Sequence, residues 1–447
     1  MTGAPITAET PVKYPGTVPD RADLIVIGAG VIGVCTALFA ARGGANVVVL
    51  EKGRVAAEQS SRNWGWIRQQ GRDPAELPIM VEANRIWQEL DRETNDDFGL
   101  VRGGVTYFAR DEAAMARYGA FVDRARPHGV DSRLMTGAEV AAAYPDMRGA
   151  VAGALTTPSD MRAEPARAVP ALAGIAVREG VRIVENCAVR CLDVADRRIT
   201  GVMTEHGRIA APRVVLAGGA WSSLLLRNHG ISMPQLSVRE TVAATQPLPD
   251  IGQAATYAKG VAFRRRADGG FTIAPPGAPD LFIGPDAFRA LRHYIPQIRS
   301  DPSGHRLRAR APRGFPDAWS TPRRWSADAV TPFERMRVLD PAPDLAKIDT
   351  MLRAFEAMFP KLGRVQARAT WAGMIDTMPD IVPIVDHGPL DGLIIGTGMS
   401  GHGFGIGPAM GRILADLAAD RPVGHDLTRF RFNRFTDGSK IDLGPDN

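Results

Sequence analysis

The stretch DLIVIGAGVIGVCTALFAARGGANVVVLEK, residues 23–52, decides the fold of this 447-residue chain. Its first part, LIVIGAG, is typical of a buried strand that enters a tight turn. The next part, VIGVCTALFAARGG, predicts a helix that glycines close at its C-terminus. The last part, ANVVVLEK, is a second apolar run and ends near Glu51. Residues 24–41 are uncharged over about the length that spans a bilayer, but their glycines favour a strand, a turn and a helix instead.

Three glycines of this stretch, Gly28, Gly30 and Gly33, have the spacing G-x-G-x-x-G. Between a strand and a helix, the first allows a tight turn, the second admits a pyrophosphate, and the third lets helix and strand pack closely. Glu51 stands at the separation expected of an acid that binds ribose hydroxyls. The pattern predicts a dinucleotide-binding βαβ unit. By itself it does not distinguish NAD from FAD as the bound dinucleotide.

Two later glycine-rich segments also follow predicted strands. One is VVLAGGAWS (214–222), and the other is GTGMSGHGFGIGPAMG (396–411), which joins an apolar strand to a helix. Backbone without Cβ atoms at a helix N-terminus offers N–H groups and a positive dipole end to an electron-rich ligand. Three such strand ends, at 28–33, 217–219 and 396–405, predict one extended ligand at a sheet edge. The polar segment 53–73 suits a loop along a longer cofactor.

The composition excludes several classes of protein. The chain is 45% hydrophobic and 23% charged, which is ordinary for a soluble protein of two domains. Its net charge is +5, but 48 of the 54 basic residues are arginines spread along the chain, with no basic tail or arm. We therefore expect no nucleic-acid partner and no transmembrane segment.

Cysteine usage and the N-terminus indicate a cytoplasmic protein. Cys35, Cys187 and Cys191 are too few for a disulfide framework, and CAVRC (187–191) lacks zinc spacing, so no metal site is predicted. The first twenty residues lack the charged and apolar regions of a signal peptide. Residues 1–21 are therefore expected to form a disordered lead-in.

Taken together, the motifs resemble the D-amino-acid oxidase (DAO) superfamily of FAD-dependent oxidoreductases, nearest its sarcosine oxidase, glycine oxidase and D-amino-acid dehydrogenase branches. The resemblance covers most of residues 23–430. It rests on the opening stretch and on SSRNWG (60–65), VVLAGGAW (214–221), WAGMIDTMPDIVPIV (371–385) and GMSGHGFGIGPAMGRILADL (398–417).

The resemblance implies an α/β fold in which a Rossmann-type FAD-binding domain carries a discontinuous second domain built on a mostly antiparallel sheet with helices. The FAD-binding domain is expected over 22–85, 146–230 and 365–430. The substrate domain is expected over 86–145 and 231–364, and a C-terminal tail over 431–447.

The resemblance also implies the cofactor and the residues that hold it. FAD is expected to bind noncovalently, because the cysteine that holds flavin in sarcosine oxidases has no counterpart beyond Cys191. The residues expected to bind it are Gly28, Gly30, Val31, Gly33, Glu51, Lys52, Ser60, Ser61, Arg62, Asn63, Trp64, Gly65, Val189, Ala217, Gly218, Trp221, Gly373, Gly398, Ser400, Gly401, His402, Gly403 and Phe404.

The reaction implied is oxidation of the C–N bond of a small amine or amino acid, such as a D-amino, N-alkyl or cyclic imino acid. Hydride passes to flavin N5 and leaves an imine that water hydrolyses, and no dedicated base is needed if the amine binds neutral. The substrate carboxylate needs a cation, for which arginine suits a bidentate contact. The catalytic candidates are Arg68, Arg264, Arg266 and His402, with Trp64, Trp66 and Trp371 as candidate pocket walls.

Two departures from the sarcosine oxidase pattern bear on the electron acceptor and the substrate. Gly405 replaces a lysine that helps hold substrate there, and Thr272 best matches the position of the oxygen-activating lysine. The acceptor is O2, a quinone or a partner flavoprotein, and the missing lysine favours a dehydrogenase. The alternatives are an NAD-linked dehydrogenase, a flavoprotein subunit of a larger complex, and a flavoprotein acting on RNA-borne amines.

Overall fold

The computed structural model of the chain describes residues 3–95, 97–275 and 277–444. The helices are α1 (Val31–Arg42), α2 (Gln59–Arg62), α3 (Leu77–Arg92), α4 (Glu112–Ala125), α5 (Gly137–Ala143), α6 (Pro165–Arg178), α7 (Ser222–Asn228), α8 (Pro285–Ser300), α9 (Pro332–Arg335), α10 (Leu345–Met358) and α11 (Gly403–Ala418).

The strands of the first half are β1 (Leu24–Ile27), β2 (Val47–Leu50), β3 (Trp66–Ile67), β4 (Val105–Ala109), β5 (Arg133–Thr136), β6 (Gly153–Thr157), β7 (Met161–Arg162), β8 (Arg182–Val184), β9 (Val189–Ala195), β10 (Arg198–Thr204), β11 (Gly207–Ala210) and β12 (Arg213–Leu216). Those of the second half are β13 (Leu236–Thr245), β14 (Ala255–Ala258), β15 (Val261–Arg265), β16 (Phe271–Ala274), β17 (Asp280–Phe282), β18 (Arg306–Arg308), β19 (Ala367–Thr377), β20 (Ile384–His387) and β21 (Leu393–Thr397).

A six-stranded sheet in the order β20-β21-β12-β1-β2-β8 forms the first layer. Its strands are parallel except for the antiparallel edge strand β20. β1 and β2 are fully buried apolar runs, LIVI and VVVL, as expected of parallel strands covered on both faces. The strand, turn and helix predicted from residues 23–52 are thereby confirmed, and no helix among the described residues has the length and apolar character to cross a bilayer.

Helices α1 and α11 pack against each other on this sheet. Their backbones approach so closely that a Cβ atom added at Gly411 would lie 2.4 Å from the Cβ of Cys35. Because α1 follows β1 and α11 follows β21, both helices begin at the carboxyl edge of the parallel strands. The close crossing therefore brings two helix N-termini to one edge of the sheet.

A larger, mostly antiparallel sheet forms the second layer, in the order β18-β17-β13-β16-β15-β14-β4-β6-β5, with β19 also paired to β13. Strands β13 and β19 run side by side from Leu236↔Thr377 to Thr245↔Ala367. Aromatic residues of β15, β16 and α10 close one face of this sheet in a common core. The α/β class with a Rossmann-type layer and a mostly antiparallel second sheet is thus confirmed.

The strand pairings differ from the predicted domain limits at residues 146 and 365. The sequence places β6 in the FAD-binding part 146–230, yet it pairs with β4 and β5 of the large sheet. It places β19 in 365–430, yet this strand pairs with β13. Helix α3 runs across the expected limit at 85 and packs on α11. The two-domain division remains our proposal, with β6 and β19 assigned to the second domain.

The structure departs from the predicted disordered lead-in over 1–21. Ile6 is buried, and the Lys13 and Tyr14 amides donate to Glu185 Oε2 at 2.6 and 3.0 Å. Arg54 Nε donates to the Thr10 carbonyl at 2.6 Å. Residues 3–21 are held because they supply partners to charged groups far away in sequence, which composition alone does not reveal.

The expected tail over 431–447 also packs on the protein as far as residue 444. Arg434 donates two hydrogen bonds to the Asp380 carboxylate, at 2.8 and 3.0 Å, and both side chains are buried. Phe435 is buried beside this pair in the core under the six-stranded sheet.

Candidate functional site

A cavity of about 650 Å³ lies where the carboxyl ends of the parallel strands meet the large sheet. The three glycine-rich strand ends line it together, through Gly28 and Gly30, through Gly218 and Gly219, and through the segment from Gly396 to Gly405. Residues of β13 and β19 line the opposite side. The prediction that these strand ends converge on one site matches this arrangement.

The first helix begins in a cradle that leaves no room for side chains. Gly28 has φ +101°, and a Cβ there would lie 2.6 Å from the Ala217 carbonyl oxygen. A Cβ at Gly33 would lie 2.0 Å from the Gly28 carbonyl oxygen, so this glycine packs behind the cavity wall. The amide of Val31 donates to Ser60 Oγ at 2.9 Å, which links the turn to α2.

Glu51 lies at the end of β2 and lines the cavity. Its carboxylate accepts hydrogen bonds from the Ala29 amide at 2.9 Å and from the Gly53 amide at 2.7 Å. Removal from water raises the pKa of Glu51, while Lys52 and the two amides act in the opposite direction. The carboxylate is thus fixed at the sheet edge next to the start of α1.

Lys52 and Trp221 form the wall beside Glu51. The Lys52 ammonium lies 4.4 Å from the centre of the Trp221 ring and donates to Glu58 Oε1 at 2.6 Å. Trp221 Nε1 donates to the same carboxylate at 3.1 Å. Lys52 is the one lysine among the described residues lining the cavity, and its charge is already compensated by Glu58.

Most residues predicted to bind the cofactor line the cavity. They are Gly28, Gly30, Val31, Glu51, Lys52, Ser60, Arg62, Asn63, Trp64, Val189, Ala217, Gly218, Trp221, Gly373, Ser400, Gly401, His402, Gly403 and Phe404. Gly33, Ser61, Gly65 and Gly398 do not line it within the described structure. Gly65 and Gly398 have positive φ and pack against Ala163 and Met378, so they shape the wall from behind.

The segment before α11 forms a second cradle. The Gly398 amide donates to Asp376 Oδ2 at 2.7 Å, and Ser400 and Gly401 both have positive φ. His402 occupies the cap position of α11 without a capping hydrogen bond from its side chain. The first amides of α11 therefore keep their donor capacity beside a cavity that Gly401, Gly403 and Gly405 line.

At Gly405, where sarcosine oxidases have a substrate-binding lysine, α11 packs closely against β3 and leaves little room for a side chain. A Cβ at this position would lie 3.1 Å from the Trp66 carbonyl oxygen and 3.2 Å from the Ile67 Cα. The Trp87 indole also donates to the Gly405 carbonyl at 2.8 Å from α3. Any anion-binding role must therefore come from another residue.

Arg68 supplies a cation to this end of the cavity. It follows β3, and its Nη1 donates to the Gln70 carbonyl and, at 3.2 Å, to the Gly71 carbonyl. Its guanidinium lies 5.7 Å from the centre of the Tyr107 ring. The surrounding cavity wall is aromatic, formed by Trp64, Trp66, Tyr107 and Tyr257.

Beneath Arg68 lies a buried group of charges, Arg72, Glu76 and His402. Glu76 is fully buried, and its Oε2 lies 3.5 Å from His402 Nδ1. Burial and the charge of Arg72 lower the pKa of His402 to about 4, so the imidazole is neutral at pH 7. Burial acts to raise the pKa of Glu76, but His402 and the two arginines outweigh it and keep the carboxyl ionised.

Arg72 is the counter-charge of Glu76 in this group. Its guanidinium is buried, and burial together with the charge of Arg68 lowers its pKa to about 10, so it stays charged at pH 7. With Arg68 and Arg72 positive, Glu76 negative, His402 neutral and the pKa of the neighbouring Asp160 raised to about 7 by burial, the group has a net positive charge. The end of the cavity therefore favours an anion.

Two arginines predicted to bind substrate lie elsewhere, and these predictions are wrong. Arg264 on β15 is buried and donates to both oxygens of Glu164, at 2.7 and 3.0 Å. Arg266 stands in the hairpin after β15 and pairs with Asp268 at 3.1 Å. Neither lines the cavity within the described structure, because each side chain is directed toward a nearby carboxylate instead.

Three residues of the cavity wall, Tyr107, Tyr257 and Arg72, were not predicted from the sequence. Tyr107 on β4 and Tyr257 on β14 are paired in register, as are Thr106 and Thr256 before them. The repeated dipeptide Thr-Tyr in the two strands was the available signal, but nothing in the local sequence indicates that the strands pair.

Trp371, expected as a candidate wall, lies in the interior instead. It is buried, and its Nε1 donates to the Arg62 carbonyl at 2.9 Å. Within the described structure it does not line the cavity, so it supports the neighbouring Arg62 from behind.

Comparison with known proteins supports the family that the sequence motifs resemble. The family described as FAD dependent oxidoreductase (DAO) matches residues 23–417. Human mitochondrial sarcosine dehydrogenase is 28% identical over 257 residues, which are 56% of this chain and 28% of that protein, so this chain spans little more than a quarter of that relative. Sarcosine oxidase subunit beta of Rhizobium meliloti (strain 1021) is 26% identical over 428 residues, covering 94% of this chain and 90% of the relative.

A solved structure agrees over nearly the whole chain. The L-amino acid deaminase from Proteus myxofaciens in complex with anthranilate superposes with a TM-score of 0.90 at 26% identity, covering 95% of this chain and 96% of that one. The family match includes β1, the glycine cradle, β19 and nearly all of α11. The motifs, the fold and the relatives thus agree, and the chain belongs to the FAD dependent oxidoreductase (DAO) family.

Proposed function

We propose that this protein is an FAD-dependent oxidoreductase that oxidises the C–N bond of an amino acid or N-alkyl amino acid. One observation carries the proposal: a cationic, aromatic-walled end of the cavity, at Arg68, is continuous with the glycine cradles at the starts of α1 and α11. The net positive charge there suits a carboxylate, and the cradles suit a dinucleotide.

The residues present fit FAD. Gly28 and Gly30 leave room for a pyrophosphate, and the Glu51 carboxylate is placed where it could accept hydrogen bonds from ribose hydroxyls. The uncapped amides of α11 could donate hydrogen bonds to the electron-rich end of a flavin ring. The cavity volume lies within the range of about 300–1,000 Å³ typical of cofactor and ligand sites. Bound FAD would supply the two-electron acceptor for hydride from the carbon next to nitrogen.

Noncovalent binding is part of the proposal. Among the described residues that line the cavity there is no cysteine; Cys35 and Cys187 are buried in the cores. Precipitation of the yellow protein with acid should leave the flavin in the supernatant, as measured by absorbance. Flavin that stays with the protein pellet would contradict noncovalent binding.

Arg68 would bind the substrate carboxylate and so orient the C–N bond. Its backbone-held Nη1 limits the motion of the guanidinium, which reduces the entropy lost on binding. Arg72 beneath it adds positive charge, and the aromatic wall excludes water around the reacting carbon. With His402 neutral, the histidine does not add a third positive charge to those of Arg68 and Arg72.

A dehydrogenase acting with a quinone or a partner flavoprotein is favoured over an oxidase. Thr272, at the position that matches the oxygen-activating lysine, is buried away from the described cavity wall, so its identity does not bear on oxygen. Lys52 is the one lysine on the described cavity wall, and it is paired with Glu58 beside Glu51, so that wall offers no unpaired lysine to activate oxygen. We expect slow peroxide formation in air compared with reduction of an artificial quinone.

The proposal is tested by anaerobic reduction of the flavin with a panel of L-, D-, N-methyl and cyclic amino acids, followed by absorbance. Bleaching of the visible flavin bands by one of these, and no bleaching by the corresponding amine without a carboxylate, is the expected result. A protein that binds no FAD, or that is bleached equally by the amine, would overturn the proposal.

Substitution of Arg68 gives the sharper test. Because a hydrogen-bonded charge pair contributes about 1.5–3 kcal/mol, Arg68→Met should lower kcat/KM for the amino acid by about 10- to 150-fold. The matched control is Arg85→Met on α3, whose side chain is exposed and lies outside the described cavity wall; it should leave kcat/KM unchanged.

The other candidate functions are weaker. An NAD-linked dehydrogenase is not favoured, because the family match and the cradle at α11 both point to FAD. A role as a subunit of a larger dehydrogenase complex has one supporting observation, the 26% identity to a sarcosine oxidase subunit. Co-purification of further subunits with the untagged protein is the measurement for that case, and retained RNA after a high-salt wash is the one for RNA-borne amines.

A further inference from the structure

Helix α8 presents apolar side chains on two faces, although only one of them is covered. Ala290 and Tyr294 pack inward against Leu236 of β13. The other face is a row of exposed apolar residues at helical spacing, and Trp319 extends it, with its ring 6.0 Å from that of Phe288. These two aromatic side chains are 59% and 61% exposed. We call the row the α8 patch: Phe288, Leu291, Ile295, Ile298 and Trp319.

A contiguous patch of five exposed large apolar side chains is uncommon on the surface of a monomeric protein, and such patches mark interaction sites. Isolated exposed apolar residues are common on any protein, but the α8 patch is a continuous row along one helix with a tryptophan at its end. The exposed side of α8 carries aromatic and aliphatic residues flanked by Arg292 and Arg299, a combination of apolar and basic groups that is typical of helices that lie in the interface of a bilayer.

The charges around the α8 patch are positive. The segment 285–313 contains seven arginines and two aspartates, a net charge of +5 that equals the net charge of the whole chain. The arginines, although spread along the chain, are therefore denser in this segment than elsewhere. Four of its arginines, Arg292, Arg299, Arg310 and Arg313, are exposed and make no ion pair with the described residues.

We propose that the α8 patch docks the protein on a bilayer surface that contains anionic phospholipid. The apolar row would enter the headgroup boundary, and Arg292 and Arg299 on the same helix would lie against lipid phosphates, each favouring binding. A second copy of the chain is a poorer occupant, because a two-fold contact would bring the same arginines together from both copies. The positive charge beside the patch thus favours an anionic bilayer over a second copy of the chain.

The position of α8 connects this surface to the cavity. Asp301 and Gly304, which follow α8 directly in sequence, line the cavity, as do Gly277 and Pro279 before the helix. Docking on a bilayer would therefore place one wall of the cavity close to the lipid surface. The docking proposal stands on the patch and its charges, and it is independent of the substrate proposed above.

The test uses the full chain loaded with FAD and vesicles of phosphatidylglycerol and phosphatidylcholine in equal parts, with sedimentation as the measurement. We expect binding that falls as salt rises from about 0.1 to about 1 M, since screening shortens the Debye length from about 10 to about 3 Å. Vesicles of phosphatidylcholine alone should bind much less. Equal binding to both vesicles, or none to either, would overturn the proposal.

Two variants separate docking through the patch from a general loss of folding. Leu291→Glu should lower vesicle affinity by about tenfold, because it removes the exposed half of a leucine from the docking face and adds a carboxylate that anionic lipid repels. The matched control Leu345→Glu changes a leucine that is 63% exposed but lies on α10, outside the patch, and should leave affinity unchanged. Thermal unfolding checks that both variants remain folded.

Self-association is measured on the same samples by sedimentation velocity. If Leu291→Glu converts a dimer to a monomer and leaves vesicle binding unchanged, a second copy covers the patch and the lipid proposal is wrong. A monomer in both proteins, together with loss of vesicle binding in the variant, supports it.

Discussion

At the scale of single residues, the site depends on how buried charges are compensated. Arg264, Arg434 and Arg72 are all buried, and each lies near a carboxylate: Glu164, Asp380 and Glu76 respectively. For Arg264 and Arg434 the pairing is a direct two-point hydrogen bond. Arg72 differs, because its contact with Glu76 is electrostatic without a hydrogen bond, and this leaves it free to contribute charge to the cavity.

Removing the Glu76 charge should destabilise the protein strongly. In Glu76→Gln the buried Arg72 keeps its charge but loses its nearest compensating carboxylate, and the cost should approach, without exceeding, that of breaking a direct buried pair, about 3–5 kcal/mol. Urea unfolding measures the free energy of unfolding. The matched control is Glu89→Gln, an exposed i,i+4 partner of Arg85 on α3, which should cost about 0.5 kcal/mol or less. Equal effects of the two substitutions would show that Glu76 compensates nothing.

The residue-scale predictions from sequence succeeded where the signal was local. Gly28 and Glu51 could be placed at the cavity because the spacing of one βαβ unit fixes them, whereas Ser60 was implied only by the resemblance that SSRNWG carries. Arg264 could not, since the direction of its side chain depends on Glu164, a hundred residues away in sequence and brought near by β7 and α6. A run of three arginines has no local feature that tells which one faces a ligand.

At the scale of elements, close helix crossing and one buried turn hold the two cradles together. α11 is placed by its contact with α1, and the turn after β3 is placed by Asp160. The Asp160 carboxylate accepts hydrogen bonds from the Gln69 amide at 2.7 Å and the Gln70 amide at 3.3 Å, just after Arg68.

Enlarging Gly411 should separate the two helices. In Gly411→Ala the new Cβ would meet Cys35 at 2.4 Å, and such overpacking costs about 1–3 kcal/mol. FAD content should fall with it, because the N-termini of α1 and α11 both line the cavity. The control is Gly119→Ala within α4, where the nearest atom is 3.8 Å away; there alanine should stabilise the protein by about 0.5–1 kcal/mol. Thermal unfolding and flavin absorbance measure both effects.

Asp160 gives a predicted pH dependence of stability. Burial raises its pKa from 3.8 to about 7, so the folded state holds a proton that the unfolded state releases. The stabilising contribution is complete below about pH 4 and is lost as pH rises toward 7. Asp160→Asn should flatten the unfolding free energy over this pH window, measured by urea unfolding. The exposed Asp123→Asn on α4 should leave the slope as it is in the native protein.

Element-scale predictions from the sequence were correct for the parallel strands and for the antiparallel character of the second sheet, but the domain limits placed two strands of that sheet in the FAD-binding part. Continuous apolar runs such as VVVL identify buried strands without knowledge of their neighbours. By contrast, β6 and β19 were assigned to the wrong layer, because a strand's sheet is decided by pairing with distant partners such as β4 and β13.

At the scale of the whole molecule, FAD should stabilise the fold by linkage. A ligand at a hundred times its Kd adds about 2.7 kcal/mol, which for a chain of this size raises Tm by about 3 °C. Thermal unfolding of the apoprotein with and without FAD is the measurement, with NAD at the same concentration as the control. A larger rise with NAD than with FAD would contradict the proposed cofactor.

The order of strands in the six-stranded sheet has a consequence for synthesis on the ribosome. β1 is synthesised well before two elements that cover it and its helix: its neighbour β12 ends at Leu216, and α11, which covers α1, begins only at Gly403. During most of translation the apolar strand and helix of residues 24–42 therefore lack their final cover. We expect the nascent chain to depend on chaperones, and chains truncated before residue 403 to aggregate.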